Sequence, residues 1–346
     1  SVLCDENGIS PEDITAVVCA GNTTMTHLLL GVNPKHIRKE PYIPTFSFPS
    51  PIKAKEIGIT VHEEAMLYCL PSVASFVGGD TTAGVLASGM AKQEEFSMLI
   101  DMGTNGEIVF GNSEFLVCCS CSAGPAFEGG GIEFGMRASR GAIQRVEVLP
   151  DLEVKVTTVG GVKARGICGS GMIDCLAEFL RSGIINKAGK FNEGIRTDRL
   201  RKGEEGLEFV LVWADESAVD RDIVLTQPDI DNLIRSKAAV YAGAKVLLDK
   251  IGFDFQSVEK FYVAGGFGSY LDIGKAITIG LLPDLPKDRF EYIGNSSLAG
   301  ARLCLLSEEA FREAIEIANR MTYIELSVDN TFYEQFVSEL FLPHTD

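Results

Sequence analysis

Glycine-rich turns at the ends of apolar segments constrain the fold of this chain more than any other feature of its sequence. Four of them stand at residues 78–79, 103–106, 166–171 and 265–268. Glycine lets the backbone turn tightly and lets a ligand approach the chain closely. Apolar strand, small-residue turn and helix follow each other along the chain, an order that is typical of α/β proteins. The sequence therefore predicts an α/β fold with candidate ligand-binding turns.

Length and charge narrow the class of protein further. The chain has 346 residues and a formal net charge of −17, which suggests about two domains and excludes a nucleic-acid binder that works by neutralising phosphates. Nine cysteines, an odd number in a long chain, favour a reducing cytoplasm. No apolar run is long enough to span a bilayer, so the sequence predicts a cytoplasmic protein without membrane contact.

Local patterns predict the elements around these turns. Strands are predicted at residues 14–19 and 73–77, and Asn105-Gly106 between two apolar runs predicts a β-hairpin. Thr226 and Asp229 have the spacing of a capping box, so a long helix is predicted to begin there.

The hairpin around Asn105 has the clearest chemistry. A tight glycine turn presents several backbone N–H groups in one direction, which suits phosphate oxygens, and Thr104 and Asn105 add side-chain donors. Asp101 at the strand end could hold Mg²⁺ through water. The alternative is an Asn-Gly hairpin in which the aspartate only caps the turn.

Three further turns each have a functional and a structural interpretation. Residues 169–171 open a helix whose N-terminus would attract anions, or Ser170 only caps that helix. Residues 265–268 could lie flat against an adenine ring or ribose, or only join a strand to a helix. Asp80 is either a helix N-cap or a cleft carboxylate that orients a water or hydroxyl nucleophile.

The cysteines show no metal-binding spacing. Cys118, Cys119 and Cys121 lie close together, but no second cysteine pair completes a zinc site. No set of four has the spacing of a two-iron ferredoxin cluster. We therefore predict core or near-site thiols and no iron–sulfur cluster in this chain.

The order of the turns resembles the superfamily of actin, Hsp70 and the sugar kinases, in which two lobes close over ATP. Residues 101–107 resemble its second phosphate loop, residues 264–268 its adenosine motif, and residues 79–80 the segment with the catalytic Asp of the sugar kinases. Longer strings are similar to the reductive activators of corrinoid proteins. These strings are residues 20–27, 100–107, 123–129, 166–171, 264–268 and 341–344.

The resemblance implies an α/β, actin-like (ribonuclease H-like) ATPase fold with two lobes. Residues 1–95 are expected to form the remainder of an incomplete first lobe. Residues 96–346 are expected to form the second lobe, with C-terminal helices that return toward the first. Only one Asp-x-Gly-Thr hairpin is present, so the first phosphate loop and the ferredoxin-like domain of the family are expected before residue 1.

The family couples ATP to the one-electron reduction of cob(II)amide to cob(I)amide in a corrinoid methyl-carrier protein, in methyltransferase systems of anaerobic metabolism. The resemblance therefore implies an ATP-dependent reductive activase, with ATP hydrolysis expected of the full-length protein. It implies ATP or ADP and Mg²⁺ as cofactors. It also implies a corrinoid protein as partner and a homodimer.

The residues expected at the site follow from these motifs. Catalytic roles are expected for Asp80 and Asp101, with Asp101 holding Mg²⁺ through water. Nucleotide contacts are expected from Gly103, Thr104, Asn105, Gly106, Gly169, Ser170, Gly171, Gly265, Gly266, Phe267 and Gly268.

Two other functions stay open at this point. A small-molecule kinase of the same superfamily needs an acceptor pocket beside Asp80, and the sequence has one Trp and no evident sugar-binding cluster of Trp, Asn and His. A non-catalytic interaction module would use its glycines for packing and its acidic surface for a partner. Such a module would gain no thermal stability from a nucleotide.

Overall fold

The computed structural model describes residues 2–265, 270–328 and 330–344, which form a mixed α/β protein as the sequence predicts. The strands are β1 (Ala16–Cys19), β2 (Ile52–Lys53), β3 (Met66–Cys69), β4 (Ser97–Met102), β5 (Gly106–Gly111), β6 (Leu116–Cys121), β7 (Ala142–Val148), β8 (Val154–Thr158), β9 (Gly166–Ile167), β10 (Leu200–Gly203), β11 (Gly206–Val212), β12 (Ile223–Thr226), β13 (Lys260–Gly265), β14 (Phe290–Gly294) and β15 (Met321–Tyr323). The α-helices are α1 (Val2–Asn7), α2 (Thr23–Leu29), α3 (Gly79–Ser88), α4 (Gly169–Ser182), α5 (Gln227–Lys250), α6 (Ile273–Thr278), α7 (Ser296–Leu306), α8 (Glu308–Arg320) and α9 (Thr331–Ser338).

The chain divides into two compact units. The first unit consists of residues 1–99, 109–119 and 295–324. The second unit consists of residues 100–108, 120–294 and 325–346. The boundary between them passes through β4, β5 and β6.

The described strands form four sheets. A sheet of the first unit has the order β1-β3-β2, in which β1 and β3 run parallel. The largest sheet has the order β14-β13-β4-β5-β6-β15, and β13 and β14 run parallel. Two smaller sheets of the second unit have the orders β8-β7-β9 and β10-β11-β12.

The structure confirms the predicted hairpin and corrects one predicted strand. Neighbouring strands β4 and β5 form the hairpin that Asn105-Gly106 predicts. The strand predicted at residues 73–77 is wrong, because Val73 and Val77 lie in a tight turn in which the Val73 N–H donates to the Val77 carbonyl. The strand is instead β3, which ends just before Pro71. Proline lacks the N–H that a ladder needs, so the apolar run stops pairing there.

Helix α5 begins with the predicted capping box. The Thr226 hydroxyl accepts a hydrogen bond from the Asp229 N–H, and the Asp229 carboxylate accepts one from the Thr226 N–H. These two bonds satisfy donors that the first turn of a helix leaves open. The 24-residue helix buries an apolar face that includes Leu233, Val240 and Leu247.

Helices α3 and α7 of the first unit approach each other closely through glycine. A Cβ atom added at Gly300 would lie 2.2 Å from the carbonyl oxygen of Ala83. One added at Gly84 would lie 3.0 Å from the Ser296 hydroxyl. Small residues at both positions therefore allow the two helices to pack backbone against backbone.

The C-terminal segment of the second unit covers a buried lysine on α5. Lys237 is fully buried, and its amine donates hydrogen bonds of 2.5 Å each to the carbonyl oxygens of Phe341 and Pro343. Glu339 is also fully buried and bonds the ring of His344. The predicted string at residues 341–344 thus supplies backbone acceptors to α5.

Candidate functional site

The hairpin between β4 and β5 presents a short turn with its polar groups outward. The Gly103 N–H donates to the Asn105 carbonyl at 2.9 Å, which closes the turn. Thr104 is exposed and Asn105 is half-buried. Asp101 is half-buried at the end of β4. The turn therefore has side-chain donors, a carboxylate and exposed backbone within a few residues.

The two glycines of the hairpin have different surroundings. A Cβ atom at Gly103 would make only ordinary contacts, the nearest at 3.5 Å from a Glu128 carboxylate oxygen. A Cβ atom at Gly106 would lie 2.8 Å from the Cys121 sulfur and 3.1 Å from a methyl group of Val240. Gly106 is therefore required by packing inside the protein, whereas Gly103 could accommodate a small side chain.

Glu128 contacts the hairpin, although its position in the sequence did not mark it as a site residue. The Thr104 hydroxyl donates a 2.7 Å hydrogen bond to the Glu128 carboxylate. The turn that carries Glu128 ends at Gly129, whose φ of +90° and close contact with the Met136 backbone exclude a side chain. The only sequence signal for this residue was its place in the string at residues 123–129.

Helix α4 begins without a side-chain cap. Its N-cap is Cys168, which makes no side-chain cap hydrogen bond, so the alternative that Ser170 caps the helix is wrong. Ser170 is fully buried and its hydroxyl lies 3.4 Å from the Cys168 sulfur. Gly171 packs against the Ile143 carbonyl, where a Cβ atom would lie at 2.3 Å. Any ligand contact of this turn is therefore made by backbone N–H groups.

Tyr292 on β14 connects three of the predicted motifs. Its hydroxyl donates a 3.2 Å hydrogen bond to the carbonyl of Gly265, the last residue of β13. Burial, then the Asp101 carboxylate and the Cys168 thiol, raise the pKa of the Tyr292 hydroxyl to about 12. Tyr292 is therefore hydrogen-bonded to the end of β13 and lies within electrostatic reach of the hairpin aspartate and of the N-cap of α4.

The adenosine motif is described only at its start. Gly265 has a φ of +139°, a conformation that favours glycine, and it follows the buried strand residues of β13. Gly266, Phe267 and Gly268 lie outside the described residues. Their predicted contact with adenosine stays a prediction.

Asp80 stands in the first turn of α3 in the first unit. The N-cap of this helix is Gly78, so the alternative that Asp80 is the N-cap is wrong. The Asp80 carboxylate accepts a 2.9 Å hydrogen bond from the Thr81 N–H, and burial raises the pKa of this carboxyl. Gly79 packs on the Leu70 carbonyl, where a Cβ atom would lie at 2.6 Å. The glycines before Asp80 are thus explained by packing.

Family comparison identifies the chain over its whole length. A family model described as the C-terminal domain of RACo, the ASKHA domain, matches residues 95–346, and one described as the RACo middle region matches residues 1–93. The chain belongs to the RACo family. The predicted actin-like fold is confirmed by this match, since ASKHA is the superfamily of actin, Hsp70 and the sugar kinases.

Individual relatives of this RACo chain carry related descriptions. The corrinoid activation enzyme RamQ of Eubacterium limosum is 34% identical over 97% of this chain and 57% of its own length. A Methanosarcina barkeri reductase of a Co(II) methylated amine-specific corrinoid protein is 28% identical over 78% of this chain and 50% of its own length. A solved reductive activator for corrinoid, iron-sulfur protein is 53% identical with a TM-score of 0.97, covering 100% of this chain and 55% of that one.

The chain spans about half the length of the relatives it matches. In the described part of the chain, a search for metal sites and one for membrane-spanning helices found none. Within residues 2–265, 270–328 and 330–344, no group of three His, Cys, Asp or Glu side chains could hold a metal ion. In the same part of the RACo chain, no helix is long and apolar enough to cross a membrane.

The donor set of the second unit fits a nucleotide with Mg²⁺. The room for a small group at Gly103, the side-chain donor of Asn105 and the start of α4 without a side-chain cap suit phosphate oxygens. Mg²⁺ is usually held by one or two carboxylates, waters and the phosphates themselves. Asp101 is the hairpin carboxylate that could take this part.

Proposed function

We propose that this chain is the nucleotide-binding part of an activator that uses ATP to drive reduction of cob(II)amide to cob(I)amide in a corrinoid protein. The observation that carries the proposal is the match of residues 95–346 to the RACo ASKHA domain, within which Tyr292 bonds Gly265 and senses the charge of Asp101. The descriptions of the relatives supply the reaction. In this proposal the electron comes from an iron–sulfur centre in the family's ferredoxin-like domain, and the activator is a homodimer.

The hairpin, the start of α4 and Asp101 each have one part in this proposal. Phosphate oxygens approach the hairpin beside Gly103 and bind the side-chain donor of Asn105, and the N-terminus of α4 stabilises negative charge at Gly169. Asp101 orients the water shell of Mg²⁺. Bound ATP supplies the free energy that a low-potential reduction needs, through its different affinity for two conformations of the complex.

Thr104 has a divided role. Its single hydroxyl proton is donated to Glu128, so it can donate to a phosphate only when that hydrogen bond opens. Glu128 thus sets whether Thr104 acts as a donor to the ligand. Asp80 lies in the first unit, and its role as orienter of the hydrolytic water is part of the proposal.

The direct test is nucleotide binding by wild type and by Gly103→Ala, measured by calorimetric titration with Mg·ADP and Mg·ATP. The alanine fits the free protein but narrows the space that a phosphate would enter, so we expect affinity to fall at least about tenfold, or ~1.4 kcal/mol. Gly194→Ala, in a different loop and also without a positive φ, is the matched control and should bind like wild type. Equal affinity of all three proteins would remove the hairpin from the site.

A second experiment addresses the reaction. The full-length activator should speed formation of cob(I)amide in a corrinoid protein only with ATP and a reduced iron–sulfur donor, followed by the visible absorption of the corrinoid. Full-length Gly103→Ala should retain its iron–sulfur centre and lose most of this ATP-dependent rate. An unchanged rate would contradict the proposed role of this domain.

A further inference from the structure

A pair of thiols lies at the edge of the β1-β3-β2 sheet, within the first unit. Cys19 and Cys69 are register partners on the parallel strands β1 and β3. Both side chains pack against the same cluster, which includes Ala54, Ala65 and Leu67, so they lie on one face of the sheet. Both are free thiols.

Their placement is close to what a disulfide needs. Neighbouring strands lie about 4.8 Å apart, and the Cα atoms of a disulfide are usually about 4.4 to 6.8 Å apart. The Cβ atoms must approach to about 3.8 Å, so a small movement of β1 toward β3 is required. β1 is a four-residue edge strand whose residues are all half-buried, and within the described sheet its ladder partner is β3.

The two thiols differ in access to solvent. Cys19 is half-buried, whereas Cys69 and the other seven cysteines of the chain are buried. Burial raises the pKa of the Cys19 thiol, and burial together with the charge of a Cys19 thiolate raises the pKa of Cys69 to about 11. An attacking thiol that reaches solvent and a resolving thiol directly beside it are the two parts that exchange with a small disulfide requires.

We propose that Cys19 and Cys69 form a thiol–disulfide exchange site for a low-molecular-weight disulfide such as glutathione disulfide. The Cys19 sulfur attacks one sulfur of that disulfide, whose S–S bond breaks and releases one thiol. The Cys69 sulfur then attacks the Cys19 sulfur, which releases the second thiol and forms the Cys19–Cys69 bond. Two protein thiols are oxidised, one small disulfide is reduced, and the two protons lost by the protein appear on the released thiols.

The site lies directly before the turn on which α3 begins. The Leu70 N–H donates to the Cys19 carbonyl at 2.9 Å, and the Asp80 N–H donates to the Gly21 carbonyl at 3.3 Å. Oxidation would join the ends of β1 and β3 covalently at this point. The redox state of the pair therefore changes the freedom of the strand ends that support Asp80.

The test is incubation of the anaerobically purified protein with excess glutathione disulfide at pH 9, followed by peptide mapping without reduction. We expect the wild type to lose two hydrogen masses and to give one cross-linked peptide pair that contains Cys19 and Cys69. The high pH offsets the raised pKa values. Because the thiolate fraction of a thiol with a pKa above 9 falls about 50- to 100-fold from pH 9 to pH 7, the reaction should slow by about that factor at pH 7. Circular dichroism before and after checks that the protein stays folded.

Two variants test the order of attack. Cys69→Ser should accumulate a stable glutathione adduct on Cys19, because the resolving thiol is absent. Cys19→Ser should gain no glutathione adduct at Cys69, because that thiol is buried. A lasting glutathione adduct on Cys19 of the wild type, cross-links to other cysteines, or no reaction of the folded wild type would each overturn the proposal.

Discussion

Lys237 is a buried amine whose protonation should be visible in the stability of the protein. Burial lowers the pKa of Lys237 from 10.5 to about 8, and the nearby Glu339 offsets part of this effect. A neutral amine still has two N–H donors, which suffice for the carbonyls of Phe341 and Pro343. The folded state therefore loses this proton more readily than the unfolded state.

The unfolding free energy should rise with pH because of Lys237. Between pH 8 and about pH 10.5 the unfolded chain binds more protons at this amine than the folded chain, so its contribution grows by on the order of 3 kcal/mol. This contribution of Lys237 is fully present above the pKa of the amine in the unfolded chain, and it is lost as the pH falls through 8. Urea denaturation at several pH values should give a steeper rise for wild type than for Lys237→Met. Parallel pH profiles would contradict the prediction.

Glu128 places a negative charge beside the hairpin that we propose binds phosphates. Glu128→Gln removes this charge and frees the Thr104 hydroxyl from a carboxylate acceptor. Since the group is half-exposed, we expect Mg-free ADP to bind about three- to tenfold more tightly. Titration calorimetry in chelator measures this change. Glu133→Gln, which removes the same charge from an exposed side chain of the same segment, should bind like wild type.

Site residues could be predicted from the sequence where glycine marks a turn. Residues whose contacts are distant in sequence could not be predicted in this way. Asp101, Gly103 and Thr104 stand in one recognisable hairpin, so the sequence alone picked them out. Glu128 is 24 residues beyond its partner Thr104, and Tyr292 is 27 residues beyond its partner Gly265. Their roles depend on which strands become neighbours.

Among the elements, α5 has the best-defined local start. Thr226 is buried and forms both bonds of its capping box within the protein, so water cannot replace them. Thr226→Ala should lower the unfolding free energy by about 1–2 kcal/mol, measured by urea denaturation. Ser10→Ala removes the same kind of capping box from an exposed three-residue turn and should change stability far less. Equal losses would contradict the role given to burial.

Element boundaries also show where local sequence is ambiguous. The capping box and the Asn-Gly hairpin are decided by residues a few positions apart, and both are confirmed. Before Asp80, hydrophobicity alone predicts a strand at residues 73–77. The ladder with β1 selects Met66 to Cys69 instead, since that segment has a parallel partner and ends before Pro71.

At the scale of the whole molecule, bound nucleotide should protect both units unequally. Saturating Mg·ADP should slow amide hydrogen exchange at residues 101–106 and 168–172, because the proposed contacts lie there. Residues 78–82 of the first unit should slow as well if Asp80 takes part. Hydrogen exchange with mass spectrometry gives both values, with Gly103→Ala at the same ADP concentration as control. Protection without any change at residues 78–82 would remove Asp80 from the site.

The tight fit of Gly106 against Cys121 and Val240 has a consequence for deep mutational scanning of this protein. A variant library selected only for soluble expression should already lose substitutions at position 106, before any nucleotide is present. Position 103 should tolerate Ala and Ser in that selection and lose them only when corrinoid activation is selected. Comparing the substitutions lost in the two selections would therefore separate the positions that contact ligand from those that hold the hairpin in place.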